Sequence, residues 1–149
     1  MGQGYAAPPS VAGWTPYYQA PAFYRLWINS TYIKKRFDVA NLLTSNFYNV
    51  NGNVFKIKVV DLLNGLSAPA SAPQVIDDLC LVFFPKEIPQ ADKLAIKNIL
   101  TNGLPDFEWT LQYNEYLADP TNPVFFNPVE LRMQAVLNVM FKMPQFHVC

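Results

Sequence analysis

Apolar positions dominate the C-terminal end of the chain, and the few polar ones there fall at a fixed interval. From Asn127 to Met143, Glu130, Gln134, Asn138 and Lys142 recur every four residues, which on a helix makes one narrow stripe. Val129, Leu131, Met133, Ala135, Val136, Leu137, Val139, Met140, Phe141 and Met143 fill the rest of the wheel. A helix with so little polar surface is packed on several sides. The pattern predicts a buried central helix, wet along that stripe alone. Asn127 is the expected cap, Pro128 suits the first helical position, and Glu130 stands where a capping box places an acid. Phe126 and Leu131 have the spacing of a hydrophobic staple. Pro144, which cannot donate a helix hydrogen bond, is expected to end the helix.

Shorter periods precede it. Ser30 can cap a helix from Thr31 to about Leu43, with Ile33, Phe37, Ala40 and Leu43 or Thr44 inward. Ser71, Pro73 and Gln74 open a helix running to about Phe84, with Val75, Ile76, Leu79, Cys80, Val82 and Phe83 available for a core. Another runs from about Pro89 to Thr101, carries Leu94, Ile96, Ile99 and Leu100, and is closed by Gly103. Pro105 and Asp106 start the next, which ends near Ala118 and gathers Trp109, Tyr113, Tyr116 and Leu117 on one side. Val60 to Leu66 reads as a short helical turn ending at Gly65, and Ser67 to Pro73 as a loop.

Two stretches break the helical period. Asn51-Gly52 is a type I′ turn dipeptide flanked by Phe47, Tyr48 and Val50 and by Val54, Phe55 and Ile57, which predicts a hairpin. Phe55, Ile57 and Val59 alternate with Lys56 and Lys58, so the former are expected inward. Residues 1–29 hold Pro8, Pro9, Pro16 and Pro21 among many aromatics. That segment is expected to be an extended, ordered strap, too aromatic for disorder. The expected architecture is all-α. About five helices surround a buried C-terminal helix in a single domain spanning residues 1–149, with the aromatic strap and one small hairpin.

Composition narrows the function. Eleven basic residues balance eleven acidic ones, which argues against a general nucleic-acid binder, whose affinity rests on excess cations. Only 15% of residues are charged, while 15% are aromatic and thirteen are proline. So apolar a chain is expected to have a neighbour covering part of it, either the rest of a parent chain or a protein partner, and a homodimer is one form this can take. No run of apolar residues is long enough for a membrane span. The N-terminus has neither the basic nor the apolar region of a signal peptide.

Catalytic signals are weak. Cys80 and Cys149 lack metal-ligand spacing, and two thiols are a simpler expectation than a disulfide. His147 is the sole histidine. Asp77 and Asp78 point about 100° apart on a helix and are poorly placed to share a substrate. Neither a phosphate loop nor a nucleophile elbow is present, and no cofactor is expected. The candidate binding residues are Trp14, Tyr17, Tyr18, Tyr24 and Trp27, whose rings could meet a sugar or a partner protein, together with Arg36 and Arg132. Arg132 projects into the apolar arc near Val136 and Val139. The plainer reading is an ion pair, or a stem lying on the core with its head in water; the sharper one is an anion-binding group. Lys56 and Lys58 with Lys34, Lys35 and Arg36 read as a solvated face rather than a basic patch.

Pro8-Pro9-Ser10-Val11-Ala12-Gly13-Trp14 resembles the Pro-Pro-x-Val-x-Gly-Trp signature of a large bacterial family, domain of unknown function eighteen-hundred. Trp27, Ile28, Asn29, Ser30, Arg36 and Phe37 are similar to the segment that follows it. Met143, Pro144, Gln145 and Phe146 stand where the family has a Ser-Pro-Glu-Phe-like ending, with Met for Ser and Gln for Glu. The resemblance covers only the C-terminal part of a family member, which implies a fragment of a larger protein. It also implies export, hence a periplasmic or extracellular setting. The family has no established activity, so no catalytic role is carried over. Two functions are expected from these readings: a non-catalytic helical module acting in packing or protein contact, or a carbohydrate-binding or carbohydrate-processing segment built on the N-terminal aromatics.

Overall fold

The computed structural model describes residues 30–45 and 48–147. The strap predicted for residues 1–29 lies outside the described residues. Contacts divide the chain into two compact units, Met1–Val39 and Ala40–Cys149.

The fold is all-α. Helix α1 spans Ser30–Thr44, beginning at Ser30 itself rather than after it. Strands β1 (Tyr48–Val50) and β2 (Asn53–Phe55) pair antiparallel, Tyr48 opposite Phe55. Between them Asn51 and Gly52 have φ of 52° and 83°, the two positive values that a type I′ turn needs. The Asn49 side chain accepts a 3.0 Å bond from the Gly52 N–H and braces the turn. A 3₁₀ turn follows at Asp61–Gly65, then α2 (Ala72–Phe83), α3 (Gln90–Thr101), α4 (Asp106–Ala118), α5 (Pro123–Met140) and a last short turn of helix, α6 (Pro144–His147).

Helix α5 is the central helix. It packs on α3 and α4, while α2 packs on those same two helices. Val129, Met133, Val136, Leu137 and Met140 are fully buried, and join Leu79, Leu100 and Trp109 in one core. Trp109 also ties down the loop before α2: its indole N–H donates to the Pro69 carbonyl at 2.9 Å, and Thr110 Oγ1 donates to Ala70 at 2.7 Å. Helix α3 ends where Asn102 and Gly103 both turn to positive φ. The Gly103 N–H then reaches back to the Asn98 carbonyl at 2.9 Å, satisfying an end group the helix leaves open.

Several expectations need correction. Helix α5 starts four residues earlier than Asn127, and the cap is Asn122, whose Oδ1 accepts from the Val124 N–H at 3.0 Å. Pro128 therefore sits inside the helix, where it leaves the Val124 carbonyl without its usual donor. The early start offsets that loss. The Asn122 carbonyl accepts from Phe125 and Phe126 at 3.1 and 2.9 Å, and the Phe126 ring comes to lie 6.2 Å from Tyr116. The staple to Leu131 does not form, because Leu131 is 64% exposed. Pro144 begins the α6 turn instead of stopping α5, which already ends at Met140 with Phe141 as its cap.

The polar stripe is inverted. Gln134 is buried. Glu130 receives Lys56 at 2.8 Å. Asn138 donates to Asn41 at 2.9 Å and to Thr44 Oγ1 at 2.8 Å, and Lys142 reaches Asn41 at 2.6 Å. The stripe is thus a polar seam against the end of α1 and the segment after the hairpin. The row that faces outward is Val124, Asn127, Leu131, Ala135 and Val139.

Smaller departures follow the same logic. Val82, expected in the core, is 69% exposed in the last turn of α2. Leu94 and Leu117 remain roughly half exposed, as does Phe55, whereas Ile57 is half-buried and Val59 fully buried as expected. Ser71 precedes α2 without a side-chain cap, and the capping box does not form: the Ser71 N–H donates to the Ala68 carbonyl and the Gln74 side chain to Asp78.

Candidate functional site

Leu131 and Ala135 of the outward row stand in one wall of an open groove of about 530 Å³. Pro128, Leu131, Arg132 and Ala135 come from α5, Asn98, Ile99 and Asn102 from the end of α3, and Gln112 from α4. The elements meet here because the left-handed stop at Asn102 and Gly103 returns the chain at once into α4.

Arg132 is half-buried. It lines the groove, and its Nη1 donates to the Leu100 carbonyl at 3.5 Å. Burial lowers its pKa from the ordinary guanidinium value, and the nearby Glu108 carboxylate opposes that shift. Arginine stays charged regardless. Neither Arg132 nor Glu108 forms an ion pair among the described residues. Of the plainer readings of Arg132, the structural ion pair does not form among the described residues. Gln112 adds a further polar atom, its Oε1, buried without a hydrogen-bond partner.

Other candidates disperse. Trp14, Tyr17, Tyr18, Tyr24 and Trp27 lie outside the described residues. Arg36 is half-buried on the part of α1 that belongs to the first unit and has interactions of its own. Asp77 and Asp78 serve different partners: Asp77 takes Lys93 at 2.9 Å, and Asp78 accepts from Gln74, from the Ser67 N–H and from Ser67 Oγ. Those three bonds hold the Asp78 carboxyl below its ordinary pKa. Cys80 is a free, buried thiol, which burial pushes up to about 11; Cys149 lies outside the described residues. Among the described residues, no group of three His, Cys, Asp or Glu side chains could hold a metal ion, and no helix is long and apolar enough to cross a membrane.

Periodicity alone missed the groove. Its signal was the spacing of Leu131, Ala135 and Val139, which repeats as regularly as the polar stripe but was absorbed into the apolar arc. Comparison with protein-family models, with curated proteins and with solved structures finds no match to this chain.

Proposed function

We propose that this protein is a non-catalytic helical module whose work is contact with another protein chain, made through the outward face of α5. The observation that carries the reading is the row Val124, Leu131, Ala135 and Val139, interrupted by Asn127, which stays in solvent on a helix whose Glu130, Gln134 and Asn138 turn inward. Exposed apolar surface next to polar groups is the usual mark of a contact site. Phe107 and Leu111 on α4 add exposed apolar surface one helix away. The carbohydrate reading rests on rings outside the described residues, and Trp109, the tryptophan that is described, is fully buried and unable to offer a ring face.

A photo-crosslinking amino acid placed at Leu131 tests this in the native cell, with the exposed Asp61 in the 3₁₀ turn as control. The expected result is a protein adduct from position 131 and none from position 61. Absence of any adduct at 131 contradicts the reading.

A further inference from the structure

We propose that the groove beside α5 is a self-complementary docking face occupied by a second copy of this chain, with Arg132 of each copy paired to Glu108 of the other. This rests on the contact reading above and names its partner.

Charge is the first argument. Arg132 lines the groove, and Glu108, one helical turn before the groove residue Gln112 on α4, lies near enough to act on its charge; both are half-buried, and neither has an ion-pair partner among the described residues. A desolvated charge without a partner is costly. In a two-fold interface residue i meets residue j of the other copy and j meets i. A patch that holds both signs can therefore satisfy both with one rotation. A foreign partner would have to present an acid and a base at matching positions.

Shape is the second argument. Leu131, Ala135 and Val139 are spaced by four residues and make one ridge of α5. Two such ridges interdigitate at about −50°. Ala135 at the middle, flanked by two larger side chains, lets the helix axes come close at the crossing point. The formal charge of zero means that two copies do not repel one another at long range.

The test is sedimentation over a range of concentrations, with thermal melts to show that each variant folds. The wild-type chain is expected to dimerise reversibly. Arg132→Glu alone and Glu108→Arg alone should each raise the dissociation constant about tenfold or more, because each makes the face single-signed. Their equimolar mixture should restore the dimer as a heterodimer, since acidic face then meets basic face. Pairing of Arg132 with Glu108 inside one copy cannot produce that recovery. Arg132→Gln, a milder change, should weaken the dimer without reversing charge and serves if a reversal fails to fold. A wild type that stays monomeric overturns the proposal, and so does a dimer indifferent to both reversals. If the wild type is monomeric while Leu131 still crosslinks to a different protein, the contact reading stands and the second copy is not the partner. If nothing crosslinks either, both fall.

Discussion

Thr44 and Thr101 close the last turns of α1 and α3, both fully buried, and they differ in what their hydroxyls touch. Thr44 Oγ1 donates to the Ala40 carbonyl at 2.7 Å and accepts from Asn138 at 2.8 Å. Thr101 Oγ1 has no partner. Removing a satisfied buried hydroxyl strands its partners, whereas removing an unsatisfied one relieves a desolvation penalty. Thr44→Val is therefore expected to destabilise the fold by about 1–2 kcal/mol, and Thr101→Val to be neutral or to stabilise it by about 1 kcal/mol. Urea denaturation of the two variants checks the order, and a reversed order contradicts the assignment of the hydroxyls. The sequence held no sign of this difference, because a threonine at a helix end looks the same whether or not a side chain from a distant helix meets it. Arg132 was more legible: its conflict with the apolar arc is plain in the helical spacing, although its missing ion pair is a matter of three dimensions.

At the scale of elements, turn chemistry was the most readable feature. Asn51-Gly52 announces the hairpin through the two positive φ values it tolerates, and Asn102-Gly103 announces the end of α3 for the same reason. The start of α5 was ambiguous because two Asn-Pro pairs, Asn122-Pro123 and Asn127-Pro128, offer the same cap signature within five residues. Packing chose the first by laying Phe126 against Tyr116. Asn122→Ala is expected to cost about 1 kcal/mol through loss of the cap. Asn127→Ala, in mid-helix and exposed, should change stability by less than about 0.5 kcal/mol. Thermal melts distinguish them; equal effects, or a larger one at Asn127, would return the helix start to the later pair.

For the molecule as a whole, the all-α class followed from apolar spacing, and the buried central helix followed from how few polar residues α5 carries. Which side of that helix faces water did not follow. A helical wheel locates the contrast between polar and apolar sides but not the identity of the neighbours. Here the neighbours along the polar stripe are Lys56, Asn41 and Thr44, so polar residues pack inward and an apolar row is left outside. That inversion underlies the proposed function. Thiol labelling of Leu131→Cys and Gln134→Cys tests it most directly, with Cys149→Ser as background, at a dilution where copies do not associate. Cys80 stays silent because it is buried and its pKa lies near 11. The account predicts that the thiol at 131 reacts at close to the rate of an unfolded chain and the thiol at 134 on the order of a hundredfold more slowly. Fast labelling at 134 with protection at 131 would contradict it.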